Sequence, residues 1–441
     1  MGNKKMKAKI SAKSMFLVVA SLFVLTSCSD FLDQITGGDA AFCTGDWNTC
    51  KAFYDGKLAV KNDTKWGYVA PDGTTAIDFE FDKTAAFASG IALVKVGTMH
   101  NIIDSRGKLL LETGYERLVR DVAAGIIMYR HNAKWGLLSE NGNRITEPLY
   151  DTMASYFSEG LLAVSNAIGA GYIDKSGNVK IPLEYQETYT FTQGLGLVMA
   201  NNLYGYINAE NDMAINATYL DGYSFDDYDR AIVQIDDVTF GLIDKSGSVL
   251  LTADDIIGSG PLYETEIDYG TYMLHDVNGN PFTSQTYTYV NVYEGYLVNI
   301  EWEEGEDDFD KTVLFNADGT IQYAFDYDYA DWVVGTDGVA YVIDETDGLD
   351  IYSSADTYSL EGDYVMMITE DYIVYNDGTA CGIITKSTNP ETVVPFEYNN
   401  ILLLSDDYAI VAQAYRFGVV DLNGEIVVPC EYTDFNFLVN L

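Results

Sequence analysis

Gly73, Gly107, Gly142 and Gly177 stand 34, 35 and 35 residues apart. Each sits in a polar turn between two apolar stretches, as in Asp174-Lys175-Ser176-Gly177-Asn178. A fixed period in the 20–50 residue range marks a supersecondary unit that must stack on copies of itself to bury its faces. That requirement removes most single-core folds from consideration before any residue is assigned a role.

The units share more than glycine. Lys65-Trp66-Gly67-Tyr68-Val69 returns as Lys134-Trp135-Gly136-Leu137-Leu138, and as Tyr204-Gly205-Tyr206-Ile207, Phe240-Gly241-Leu242-Ile243, Cys381-Gly382-Ile383-Ile384 and Phe417-Gly418-Val419-Val420. Aromatics open many units (Phe53, Phe87, Phe157, Phe191, Phe225) and close them (Phe81, Tyr115, Tyr150, Tyr185, Tyr219). These phrases resemble the WG (or KWG) repeat family of bacterial proteins. The resemblance runs from Phe53 to about Asp255, fades to about Asp377 and resumes at Cys381. It implies an extracytoplasmic β-repeat protein, and it brings no catalytic residues.

Local pattern agrees with an all-β reading. Leu161-Leu162-Ala163-Val164 is apolar throughout, as in a strand covered on both faces, and Val179-Lys180-Ile181 alternates, as in a strand with one wet face. No sustained helical stripe with caps follows residue 50. The unit is therefore expected to be a three- or four-stranded antiparallel meander, too small to stand alone. Including degenerate turns at Asn211, Gly279, Gly319, Gly348 and near Asn389, about eleven units are expected. Propellers typically close with about 4–8 blades, so two forms stay open: two propeller-like lobes split near residue 255, or an open superhelical, solenoid-like array.

The chain divides accordingly into 1–27, a signal peptide; 28–50, a lipidated cysteine and tether; 51–255, regular repeats; 256–380, degenerate acidic and Tyr-rich repeats; and 381–441, regular repeats again. Five lysines (Lys4, Lys5, Lys7, Lys9, Lys13) precede an apolar core from Met15 to Leu25 that is too short for an ordinary span. It ends in Leu25-Thr26-Ser27-Cys28, which looks like a bacterial lipobox with Cys28 as the acylated residue. Ser29 after the cysteine resembles lipoproteins sent to the outer membrane, and the acidic tether resembles those of surface-displayed ones.

The full chain has 25 Lys+Arg against 67 Asp+Glu, a net charge of −42. Without residues 1–27 it has 20 basic groups and a net charge of −47. Such a charge argues against nucleic acid and against adsorption to anionic lipid. Cys43 and Cys50, close together in an oxidising compartment, are a candidate disulfide. Cys381 fills the slot held elsewhere by tryptophan and reads as core; a bond from it to Cys430 stays open.

Chemistry is sparse. His100, His131 and His275 lack metal-type spacing, and His100 occupies a tryptophan slot. There is no G-x-S-x-G, H-E-x-x-H or phosphate loop. No metal or cofactor is expected. The acidic runs 301–310 and 344–350 offer weak calcium binding at most, and a solvated loop is the plainer reading. The remaining signal is aromatic: Tyr287, Tyr289, Tyr293, Tyr296, Trp302, Tyr327, Tyr329 and Trp332 fall in the degenerate region and form the candidate binding surface, although packing of irregular units would use the same residues. The leading expectation is a non-enzymatic, lipid-anchored envelope module that binds protein or glycan. The alternatives are a polysaccharide-active enzyme with paired carboxylates and a structural envelope component.

Overall fold

The computed structural model describes residues 51–441 except 259, 293–295, 305–306, 327–329, 335–339, 345–348, 354–356, 388 and 405–406. Cys28, Cys43 and Cys50 therefore lie outside the described residues. The described chain forms eleven antiparallel sheets, eight of four strands and three of three, in agreement with the expected units.

Sheet 1 holds Leu58–Lys61, Trp66–Val69 and Thr75–Phe81. Sheets 2, 3 and 4 begin with Lys83–Thr84, Arg117–Asp121 and Thr152–Met153; sheets 5, 6 and 7 with Glu187–Thr192, Asp221–Gly222 and Asp255–Ile257. Sheets 8 to 11 begin with Tyr289–Val292, Ala330–Val334, Tyr364–Ile368 and Asn400–Leu404. In sheets 2, 3 and 7 the fourth strand is reduced to isolated bridges such as His100 to Tyr115.

The two recurring glycines of a unit do different work. The glycine after the tryptophan slot lies where the last strand arches over the third. A Cβ on Gly67 would stand 2.8 Å from the Ile77 carbonyl oxygen. The ladder slips register at that point, between Trp66 and Tyr68. The turn glycine instead supplies a left-handed backbone, as at Gly177 with φ 80°.

Each sheet packs on the next through aliphatic and aromatic side chains. One core joins Trp66, Tyr68 and Phe81 of sheet 1 to Phe87, Val94 and Ile103 of sheet 2, and comparable cores follow along the chain. A tyrosine from the third strand anchors several of these joints. Tyr68, Tyr172 and Tyr206 donate their hydroxyls to the carbonyls of Ala85, Tyr189 and Tyr223 at 2.8, 2.5 and 2.7 Å. Their rings meet Phe87, Phe191 and Phe225 at 4.8, 4.9 and 4.9 Å between centroids. The opening aromatics of the repeat are thus the receiving half of an inter-sheet joint. Burial pushes all three phenols well above their ordinary pKa.

The ends of the array are joined. Asp434–Asn436 pairs antiparallel with the first strand, Ala59 opposite Asn436 and Lys61 opposite Asp434, and completes sheet 1. Phe435 packs among Leu58, Val60, Phe417 and Val419, in a core shared by sheets 1 and 11. The chain continues past sheets 2 and 3: the Ala86 N–H bonds the Leu438 carbonyl at 2.6 Å, and the Asn440 side chain exchanges two bonds with the Arg120 backbone. At residue 255, where a split between lobes was one expectation, sheets 6 and 7 share a core of Leu242, Ile256 and Tyr263. The described contacts thus run from sheet to sheet and from the last back to the first; sheets 8 and 9 meet at Tyr323 and Tyr352, whose ring centroids lie 5.4 Å apart.

Candidate functional site

In each sheet the tryptophan slot lies on a row of directly opposed residues. Directly opposed side chains share one face. In sheet 3 the row is Arg117, Arg130, Trp135, Tyr150. In sheet 4 it is Thr152, Ser165, Ala170, Tyr185. Sheet 5 gives Glu187, Met199, Tyr204, Tyr219, and sheet 6 gives Asp221, Gln234, Phe240, Ala253. Sheet 7 gives Asp255, Glu266, Tyr272, Tyr287.

The last two members of these rows are mostly aromatic and mostly buried: Trp66, Phe81, Tyr150, Tyr185, Tyr204 and Tyr219 all belong to the core. The first two are more exposed and change chemistry from sheet to sheet. Sheet 2 carries Lys83 and Lys95 there, and His100 in the third place; sheets 5 to 7 carry Glu187, Asp221 and Asp255 in the first place. The acids lie within electrostatic reach of common tyrosines. Burial, then Asp221 and Asp255, push the Tyr223 hydroxyl up, and burial also raises the Asp255 carboxyl. An open groove of about 530 Å³ beside Glu187 is lined by Glu184, Tyr185, Gln186 and the Asn201-Asn202 turn.

The structure separates the aromatic candidates. Tyr287 is the tail aromatic of sheet 7, 3% exposed, with its hydroxyl 2.9 Å from that of Thr283. It is a core side chain rather than part of an exposed face. Tyr296 stacks on Phe282 at 5.6 Å, and Tyr289 is half-buried in the first place of the sheet 8 row. Tyr293, Tyr327 and Tyr329 lie outside the described residues. Trp302 and Trp332 lie on the strands Leu297–Glu304 and Ala330–Val334, and their side chains are outside the described part. The most exposed tyrosines among the described residues lie outside the candidate surface: Tyr269 and Tyr415, at 99% and 97% exposure on hairpin tips. Turn position was their available signal: each falls between two predictable strands.

The remaining candidates are structural. Cys381 is buried and Cys430 half-buried, and no disulfide joins them. His275 is buried between the Thr265 hydroxyl at 3.0 Å and the Gly279 carbonyl at 3.3 Å, which makes Nδ1 the donor and Nε2 the acceptor. Among the described residues no group of three or more His, Cys, Asp or Glu is placed to hold a metal ion. Many turn carboxylates are occupied by their own backbone: Asp104 accepts from the N–H groups of Arg106 at 2.9 Å and Lys108 at 3.0 Å, which hold its pKa below the usual range.

Comparison with known proteins gives one sequence match and several distant structural ones. A model of the WG containing repeat matches residues 66–97, 135–166, 171–204, 204–238 and 417–440. No curated protein matches the chain in sequence. Among solved structures, a eukaryotic initiation factor has 9% identity and a TM-score of 0.42, covering 86% of this chain and 97% of its own. Hsv2p of Kluyveromyces lactis has 10% identity and a TM-score of 0.31, covering 55% and 98%. BamB from Moraxella catarrhalis has 12% identity and a TM-score of 0.25, covering 56% and 88%. With its repeat phrases and its stacked antiparallel sheets, the chain carries WG-containing repeats over these five stretches.

Proposed function

We propose that this protein is a lipid-anchored binding module of the bacterial cell envelope, held at the outer membrane through Cys28 and presenting its repeat array to protein or glycan partners. The observation that carries the binding part is the division of labour within each row. The aromatic half repeats and packs; the exposed half changes from basic to neutral to acidic between sheets 2 and 7. A scaffold needs the first half only, whereas recognition needs a surface whose chemistry varies by position. The anchoring part rests on the basic stretch, the short apolar core and Cys28. Several buried acyl chains, each CH₂ contributing about 0.8 kcal/mol, hold where a single chain holds marginally.

Purified residues 29–441, applied to a glycan array and used as bait in an envelope extract, test the binding part. A ligand retained by the wild type and lost on changing row residues supports it. Reproducible absence of any ligand counts against it. Fractionation of a Cys28→Ala variant tests the anchor: the variant is expected in the soluble fraction, and retention in membranes refutes lipidation at Cys28.

A further inference from the structure

We propose that sheets 2 and 3 form a site for a compact oxyanion, a phosphate or sulfate group, built from Lys83, Lys95, Arg117 and Arg130 around His100. The four cations are placed by register. Lys83 lies directly opposite Lys95, and Lys95 directly opposite His100. Arg117 lies directly opposite Arg130 on the next sheet. Like charges directly opposite one another destabilise a sheet, and here two successive sheets each hold such a pair.

Compensation is weak in a chain with 67 acidic residues: Lys83 acts on Asp434 and Lys95 on Asp82 only through space. Among the described residues none of the four cations forms an ion pair. The carboxylates adjacent in sequence are engaged elsewhere. Asp82 accepts from Lys65 Nζ at 2.5 Å and the Gly97 N–H at 2.7 Å. Glu116 accepts from the N–H groups of Asn132 at 2.7 Å and Ala133 at 3.4 Å.

His100 ties the two sheets together. Its Nδ1 accepts the Leu118 N–H at 3.2 Å, beside Arg117, so Nε2 carries the ring proton. Burial, then Lys95, Arg117 and Lys83, lower its pKa to about 4, so the ring stays a neutral donor and three cations act on one imidazole. Lys83, Arg117 and Arg130 are exposed, and Lys95 is half-buried. Two guanidinium forks and two ammonium groups suit a tetrahedral oxyanion, which accepts several charge-assisted bonds. The net charge of −42 favours a compact group over an extended polyanion, because a nucleic acid would run from this patch onto acidic surface. The site gives the proposed binding module one ligand chemistry but stands on its own register and charge. Failure of the anchor or of the partner screens leaves it intact, and its failure leaves the wider reading intact.

Calorimetric titration of the mature chain with inorganic phosphate and with sulfate, at low ionic strength and against matched sodium chloride, tests the site. Saturable binding of either ion is expected, weakened by about tenfold or more in R117Q/R130Q and in K83Q/K95Q; a K175Q control is expected to bind as the wild type does. Phosphorylated and sulfated monosaccharides distinguish the source: tighter binding of either ester than of the free ion assigns the carrier. Without ligand, R117Q/R130Q is expected to melt at or above the wild-type temperature, because repulsion between its two cations has been removed. Absence of saturable binding to the wild type, or equal binding by the double variants, overturns the proposal.

Discussion

Gly177 and Asn211 occupy the same place in consecutive hairpin turns, with φ of 80° and 69°. The array therefore tolerates a side chain there when it is asparagine, which enters the left-handed region more readily than β-branched residues do. A Cβ at Gly177 also meets the Thr146 methyl group of the preceding sheet. Gly177→Asn and Gly177→Val add the same Cβ, so their difference isolates the backbone. We expect Gly177→Val to destabilise by roughly 2 kcal/mol or more, and Gly177→Asn by clearly less. Thermal melts of the two variants check this; equal melting temperatures would remove the backbone explanation and leave only crowding. The spaced glycines were legible in the sequence because positive φ restricts residue type. The tyrosine joints were legible only in part. Phe87, Phe191 and Phe225 could be seen to recur, but the carbonyls that receive Tyr68, Tyr172 and Tyr206 carry no side-chain signature.

At the scale of the element, the closing strand Asp434–Asn436 shows how register decides chemistry. Asp434 takes the place that Asp221 and Asp255 hold in sheets 6 and 7, but it is more deeply enclosed. Burial raises its pKa from 3.8 to about 6, against the lowering influence of the Phe435 N–H and of Lys61 and Lys83. The sign follows from the folded state holding the proton more tightly than the unfolded state. Between about pH 4 and pH 6 stability falls as pH rises, and above pH 6 the full penalty of the buried charge is present. Asp434→Asn removes the titration. It is expected to stabilise by on the order of 1–3 kcal/mol above pH 6, with the gain vanishing below pH 4. Melting temperatures of variant and wild type across pH 4–8 check this, and a difference independent of pH would refute it. Sequence reasoning passed over this strand because its partner lies some 370 residues away; only its place just after Tyr432, where other units begin a sheet, could have revealed it. The charge rows were hidden for a related reason. Lys83 and Lys95 are twelve residues apart in the chain, and nothing short of the register sets them side by side.

At the scale of the molecule, eleven small sheets share the burial that none could achieve alone, so stability is expected to pass between neighbours as in other repeat arrays. Closure changes the boundary conditions. An open array has two weak ends, whereas here the first and last sheets share a core and the last residues reach across sheets 2 and 3. Deleting residues 434–441 would unpair Ala59–Lys61, expose the core around Phe435 and free the backbone of Arg120, whose side chain is buried and bonded to Glu140 and to the carbonyls of Ala88 and Ile91. Losing one buried phenylalanine alone costs about 3–5 kcal/mol. Nearest-neighbour coupling predicts a graded result in hydrogen exchange: protection should fall most in sheets 11, 1, 2 and 3, and least in sheets 6 to 8, on the opposite side of the contact cycle. Uniform loss across all sheets would mean that the cycle unfolds as one cooperative body. In that event the closing strand would govern the stability of every surface the array presents, the charged rows of sheets 2 to 7 included.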